Sequence, residues 1–108
     1  MSVPDEFKGV AMNLADSVEY SSGSIVSKTL LSKKSGTLTL FAFDAGQGLS
    51  EHTSPFDATV YILDGEGTIT IDGDIKKVKA GELIIMPANI PHDVQAEEQF
   101  KMLLIMIR

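Results

Sequence analysis

The sequence contains no cysteine, so neither a disulfide framework nor thiolate chemistry is available to the protein. It also lacks a long hydrophobic run, since no apolar stretch approaches the roughly 18 residues that a membrane helix needs. The start of the chain, Met1–Glu6, has neither the basic residues nor the apolar stretch of a secretory signal. These absences predict a cytoplasmic protein that does not interact with a membrane.

Basic residues are scarce as well. There are 9 lysines and arginines against 15 aspartates and glutamates, which gives a net charge of −6. A nucleic-acid partner requires a basic surface that neutralises phosphates, so the charge balance argues against one. The paired lysines, Lys33–Lys34 and Lys76–Lys77, flank predicted turns and are interpreted as solvated turn residues.

What the sequence does contain is a succession of short strand patterns. Its 108 residues suffice for one domain, and 44% hydrophobic residues with 22% charged residues are typical of a globular protein. Turn signals recur about every eight to twelve residues, a spacing typical of a β-sandwich or barrel. Asp72–Gly73 predicts a tight hairpin between two of the strands. The predicted strands cover residues 24–33, 37–43, 58–63, 68–71, 75–78, 83–86 and 100–107.

The residues before the first strand form a separate segment. Apolar residues recur there at helical spacing, but Gly9 interrupts them. A short helix and an irregular arm both remain open. We therefore divide the chain into an N-terminal arm or helix, residues 1–23, and a β domain, residues 24–108.

Two predicted strands are apolar at every position, Leu83–Met86 and Met102–Ile107. A strand with one solvated face alternates between apolar and polar residues, so both faces of these strands are expected to be covered. In so small a domain the second cover is predicted to be another subunit. We therefore expect a homodimer.

Gly81 is followed along the chain by Pro87 and then by His92. The spacing of these three residues resembles that of the second motif of the cupin superfamily, specifically of its small single-domain members. Asn89 takes the place of the inner glycine, which is a mild substitution because asparagine also tolerates positive φ.

The first cupin motif is matched less completely. His52 stands at the position of its first histidine and Gly65 at its closing glycine, while Gly46 is the nearer match for the opening glycine. The sequence departs from the motif at Ser54, where the family has a second histidine, and at Ala58, where it has a glutamate.

The resemblance covers roughly residues 37–108 and implies an all-β fold, a single double-stranded β-helix or jelly-roll barrel. This agrees with the fold class that the strand pattern predicts. The resemblance also implies a ligand pocket inside the barrel, centred on the two histidines. The expected pocket residues are His52, Ser54, Ala58, Met86 and His92.

In metal-binding cupins the motif histidines and glutamate converge on an ion, so the resemblance implies His52 and His92 as the ligands of any bound iron, manganese, nickel or zinc. Two imidazoles alone make a weak site for a divalent metal. Asp57 or Glu51 would add a carboxylate only through a bulge or a loop, because alternation turns each away from its neighbour. A tightly held native metal is therefore not favoured.

Three methionines offer a further set of ligands. Met86, Met102 and Met106 carry thioethers, which are soft copper ligands. Methionine commonly fills irregular gaps in a core, and this packing interpretation is favoured.

Several functions remain open, and whether the protein is an enzyme is one of the open points. The favoured one is binding of a small molecule in the barrel, because two metal-ligand positions are lost. The resemblance also allows a metal-dependent dioxygenase or isomerase. A third is a metal-free enzyme like the sugar epimerases that share the jelly roll, with His52 as general base beside Asp57 or Glu51 and with Tyr61 returning the proton.

Overall fold

The computed structural model describes residues 5–108, which form one 3-10 turn at Asp5–Phe7, an irregular segment and nine strands. No helix among these residues is long and apolar enough to cross a bilayer. The strands are β1 (Ile25–Lys33), β2 (Gly36–Phe43), β3 (Gly48–His52), β4 (Ala58–Asp64), β5 (Glu66–Ile71), β6 (Asp74–Lys79), β7 (Leu83–Met86), β8 (His92–Gln95) and β9 (Phe100–Ile107).

The strands build two antiparallel sheets that pack face to face. One sheet has five strands in the order β1-β2-β9-β4-β7, and the other has four in the order β3-β8-β5-β6. Neighbours in the sheets are mostly not neighbours in sequence, as in a jelly roll. The predicted all-β jelly-roll fold is therefore confirmed. It is an open sandwich of two sheets rather than a fully closed barrel.

The turn between β5 and β6 forms as its sequence predicts. Ile71 pairs with Asp74, so the loop contains two residues. Asp72 has φ +51° and Gly73 has φ +79°. A type I′ turn requires positive φ at both central positions, which aspartate tolerates and glycine adopts without strain.

Aromatic rings fill one end of the space between the sheets. Phe43 and Phe100 are partners on β2 and β9, and their rings stack with centroids 4.6 Å apart. A Cβ added at Gly67 would lie 2.9 Å from the Phe100 ring, so only glycine lets β5 approach this closely. The chain direction of β9 places residues 102–106 toward the opposite end, which is less completely filled.

The N-terminal segment packs on the outer face of the five-stranded sheet. Val18 is buried there against Leu40 and Ala42 of β2. The Tyr20 hydroxyl donates a hydrogen bond to Asp64 at 2.6 Å. After the 3-10 turn the segment is irregular, so of the two forms left open by the sequence the structure has the arm.

Another part of this outer face presents apolar side chains to solvent. Leu83 and Ile85 of β7 and Ile107 of β9 are each more than half exposed, at 54%, 55% and 68%. Tyr61 on β4 pairs with Leu83, and it lies on the same outward face because its neighbours Val60 and Ile62 are fully buried. We call Tyr61, Leu83, Ile85 and Ile107 the outer apolar patch.

Candidate functional site

A cavity of about 50 Å³ lies between the two sheets, at the end away from the aromatic stack. The five residues expected to line a pocket all border it. Three larger depressions lie on the surface of the described part of the chain, and none of the three is lined by a histidine. The cavity is lined by Leu49, His52, Ser54, Ala58, Met86, His92, Val94, Met102, Leu104 and Met106.

A bulge in β3 decides which of its side chains enters the cavity. β3 and β8 pair at Leu49↔Val94 and at His52↔His92, so three steps along β3 match two along β8. The extra residue shifts the phase of the alternation between faces. Strict alternation from Leu49 would turn Glu51 inward, but His52 lines the cavity and Glu51 is exposed. The cavity therefore receives an imidazole where a regular strand would supply a carboxylate.

Gly48 allows the close approach of β3 to β8 that this pairing needs. A Cβ added there would lie 2.6 Å from the carbonyl oxygen of Val94. Backbone cannot move aside as a flexible side chain can, so a larger residue at position 48 would push the edge strand outward. Because His52 ends the same strand, Gly48 contributes to placing it against His92.

Backbone carbonyls hold both imidazole rings. His52 Nδ1 lies 2.7 Å from Ser50 O, and His92 Nδ1 lies 3.1 Å from Ile90 O. A carbonyl oxygen only accepts, so Nδ1 carries the proton and Nε2 of the neutral ring keeps its lone pair. The ring centroids are 4.4 Å apart and the ring planes cross at 70°. His92 is 3% exposed, whereas His52 reaches solvent.

Two hydrogen bonds join the loop before β8 to the loop before β4. Asn89 N–H donates to Ser54 O at 2.7 Å, and Ala88 N–H donates to Asp57 Oδ1 at 2.8 Å. Asn89 has φ +64°, a left-handed conformation that asparagine tolerates better than most side chains. These contacts fix the loop that delivers His92 to the start of β8.

A row of three inward-facing residues crosses the five-stranded sheet on the other wall of the cavity. Ala58 of β4 pairs with Met86 of β7 on one side and with Met106 of β9 on the other. All three line the cavity. Directly opposite residues in antiparallel strands have Cβ atoms about 4.5–5.5 Å apart, so the small Ala58 has a thioether side chain on each side.

The other residues considered for chemistry lie outside the cavity. Asp57 is exposed and its carboxylate accepts the hydrogen bond from the Ala88 backbone, which gives it a role in positioning the loop. Glu51 projects to solvent beside the bulge. Tyr61 lies on the outer face of β4. Among the described residues, the structure thus brings together His52, His92 and uncharged side chains only.

This donor set does not fit the divalent ion of metal-binding cupins. Within residues 5–108 no third histidine, cysteine, aspartate or glutamate joins the two histidines. Divalent zinc or iron in proteins usually has three or more such ligands, and a lone imidazole pair leaves most of the coordination sphere to water.

Comparison with known proteins identifies the family. The sequence profile of the cupin domain matches residues 39–108, which include both histidines and eight of the nine strands in whole or in part. Together with the two-sheet jelly roll, this match shows that the chain belongs to the cupin family.

The similar proteins include structures from several bacteria. A Streptococcus pyogenes protein of unknown function is 35% identical, with a TM-score of 0.91, over 100% of this chain and 95% of its own. A cupin 2 conserved barrel domain protein from Leptotrichia buccalis is 50% identical, with a TM-score of 0.87, over 90% of this chain and 47% of its own. An uncharacterised protein of Methanocaldococcus jannaschii is 30% identical over 92 residues. That alignment covers 85% of this chain but 55% of the archaeal protein, so the chain spans about half the length of this curated relative.

Proposed function

We propose that the protein binds a small molecule in the cavity between its sheets, with His52 and His92 as the polar contacts. The supporting observation is the pair of imidazoles in an otherwise uncharged, largely apolar lining. A concave apolar site with a few convergent polar groups is the usual form of a ligand pocket. Because backbone carbonyls occupy both Nδ1 atoms, the two Nε2 atoms are the nitrogens left for a ligand.

The chemistry of the lining defines the class of ligand. An imidazole Nε2 with a lone pair accepts a hydrogen bond, so the ligand should carry a hydroxyl or an acid proton. Apart from Ser54, the remaining lining side chains are apolar and favour an apolar body: Leu49, Ala58, Val94, Leu104 and three methionines. A volume of about 50 Å³ holds only a small group, and the exposed His52 side chain marks the side on which a larger ligand would extend.

Binding can be tested with a panel of short-chain alcohols, carboxylic acids and phenols, added to metal-free protein labelled at its methionine methyl groups. We expect ligands of this class to shift the Met86 and Met106 resonances. Losing one hydrogen bond of about 0.5–1.5 kcal/mol should make His52→Ala bind roughly two- to tenfold more weakly. Glu51→Ala is the matched control, because the adjacent side chain points away from the cavity. Equal binding by His52→Ala and wild type would contradict the proposal.

The two enzymatic alternatives have different support. The geometry gives little support to the epimerase-like reaction, because Asp57 accepts a hydrogen bond from the Ala88 backbone and Tyr61 lies on the outer face. A metal-dependent function gains from the Nδ1 hydrogen bonds of both histidines, an arrangement common in metal-ligating histidines. It lacks the third ligand that a divalent ion requires.

We also propose that the protein is a homodimer formed through the outer apolar patch. Leu83, Ile85 and Ile107 expose more than half of their surface on one face of one sheet, and monomeric proteins seldom leave large contiguous apolar areas in water. The cytoplasmic location and the absence of a nucleic-acid partner stay predictions from composition.

A further inference from the structure

Three of the five methionines of the sequence line the cavity that contains both histidines. Met86 and Met106 flank Ala58 in register, and Ala58 occupies the position of the glutamate in the first cupin motif. The hard carboxylate ligand is thus replaced by a methyl group with a thioether on each side. The row Met86–Ala58–Met106 forms one wall of the cavity and the pair His52–His92 forms the opposite wall.

Thioether sulfur and imidazole nitrogen together select a particular class of metal ion. Soft thioether ligands favour Cu(I), whereas carboxylate, carbonyl and water oxygens suit magnesium, calcium and manganese. Methionine has three rotatable side-chain bonds, so its sulfur can adapt to an ion between the two sheets. The rings of His52 and His92 are held through Nδ1, which leaves Nε2 of each ring as the nitrogen available to an ion.

The charge of the cavity lining also favours Cu(I) over a divalent ion. None of its described lining residues is a carboxylate, so no negative charge would compensate a cation in these largely apolar surroundings. The desolvation penalty of an ion in a low-dielectric medium rises with the square of its charge, which disfavours a divalent ion far more than a monovalent one. A neutral set of nitrogen and sulfur donors therefore suits a soft monovalent ion.

We infer that this cavity is a binding site for Cu(I), with His52 Nε2, His92 Nε2 and the sulfur atoms of Met86 and Met106 as ligands. The inference goes beyond small-molecule binding and does not rest on it, because the panel of organic ligands is tested on metal-free protein.

The test uses untagged protein labelled with 13C at the methionine methyl groups. It is titrated with Ag(I) in chloride-free buffer, as a redox-inert soft ion, and then anaerobically with Cu(I) against a competing chelator. We expect one equivalent to bind and to shift the methyl resonances of Met86 and Met106. Met12 packs with the outer cluster under the N-terminal segment and serves as the internal control that stays unshifted. X-ray absorption of the Cu(I) complex should show sulfur among the nearest neighbours.

Variants distinguish this site from adventitious binding. Leucine matches methionine in volume, so Met86→Leu and Met106→Leu should keep the fold while each lowers Cu(I) affinity by about tenfold or more. His52→Gln should have a similar effect, and Glu51→Gln none. Unchanged affinity in the double methionine variant, an equal shift of Met12, or tighter binding of Zn(II) than of Cu(I) would each overturn the inference.

Discussion

Ala58 shows how one residue can set the chemistry of this cavity. It is 1% exposed, lines the cavity, and stands where metal-binding cupins are expected to have a glutamate. Ala58→Glu would place a carboxylate with His52 and His92, the two-histidine, one-carboxylate set of non-haem iron sites. We expect this variant to lose thermal stability without metal, because a buried carboxylate needs a partner. Fe(II), Mn(II) or Zn(II) should restore its unfolding midpoint, which calorimetry with and without each ion would measure.

Ala58→Gln is the control for this substitution, since it adds nearly the same volume without the charge. Its midpoint should fall and should not respond to the ions. If the glutamate variant also failed to respond, a carboxylate at position 58 would not converge with the two histidines on one ion.

At this same scale, the sequence could predict five of the ten residues that line the cavity, but not what directs them there. Motif spacing identified His52, Ser54, Ala58, Met86 and His92. The bulge that turns His52 inward left no signal, because Ser50 and Glu51 are ordinary strand-edge residues without the glycine that marks some bulges. Without the one-residue shift, the Glu51 carboxylate would lie in the cavity in place of the His52 imidazole. The alternation of residue types along the sequence does not reveal such a shift.

At the scale of elements, the strands that carry the two histidines were the ones absent from the sequence prediction. β3 (Gly48–His52) and β8 (His92–Gln95) are five and four residues long. Each has one aliphatic residue, Leu49 and Val94, so neither shows the alternation that identified the other strands. Their pairing depends on contacts across the sheet, as at Gly48, which no local pattern records. The sequence could therefore place the histidines in a pocket without predicting the strands that hold them.

The N-terminal segment contacts the five-stranded sheet through Tyr20, whose hydrogen bond to Asp64 can be tested by substitution. Burial, and then the hydrogen bond to Asp64, raise the pKa of Tyr20 above its usual range. A raised pKa in the folded state means that this contribution to stability is complete at neutral pH and is lost as the pH rises through the range where tyrosine ionises. Tyr20→Phe keeps the ring under the Lys101 ammonium but removes the hydrogen bond, so it should destabilise the protein by about 1 kcal/mol in denaturant unfolding.

Tyr61→Phe is the matched control for Tyr20→Phe. Within residues 5–108 the Tyr61 hydroxyl makes no hydrogen bond, so its removal should change the free energy of unfolding by less than about 0.5 kcal/mol. A loss at Tyr61 equal to that at Tyr20 would show that the Asp64 hydrogen bond contributes nothing specific.

Asp44 links three parts of the chain and gives stability a pH dependence. Hydrogen bonds from the Gly23 backbone at 2.6 Å, then from the Gln99 side chain at 3.0 Å, lower the pKa of this carboxyl. A group with a lowered folded-state pKa contributes stability above its unfolded pKa and loses it as the pH falls through the folded value. Asp44→Asn should therefore flatten the acid side of the stability curve, measured as unfolding midpoint from about pH 6 to pH 3.

The control for Asp44 is Asp72→Asn in the β5–β6 turn. It removes one surface carboxylate at a positive-φ position that asparagine also accepts. This variant should keep the wild-type pH dependence. If the two variants flattened the curve equally, the effect would belong to net charge rather than to the hydrogen bonds of Asp44.

At the scale of the whole molecule, the apolar runs Leu83–Met86 of β7 and Met102–Ile107 of β9 have two different explanations for their outer faces. Part of β9 is covered by the chain itself, since Leu103 packs into the cluster beneath the N-terminal segment. The sequence could not predict this cover, because the irregular arm has no periodicity that would show where it lies. Leu83, Ile85 and Ile107 remain exposed, and the proposed homodimer accounts for them.

The dimer can be tested by placing one charge within the outer apolar patch, with the substitution Ile85→Lys. In a dimer with a twofold axis, the same patch of each subunit contacts its copy, so both substituted side chains would be buried in the interface. The two introduced ammonium groups would then bring like charges into an apolar contact. We expect wild-type protein to scatter light with the mass of a dimer at micromolar concentration and the Ile85→Lys variant to scatter as a folded monomer. Ile75→Lys is the matched control, since Ile75 is 64% exposed on β6 of the other sheet, away from the patch. It should remain dimeric. Monomeric wild-type protein, or equal dissociation of both variants, would show that the exposed face of β7 is not the surface that joins two copies, and the apolar strands would then need a different partner.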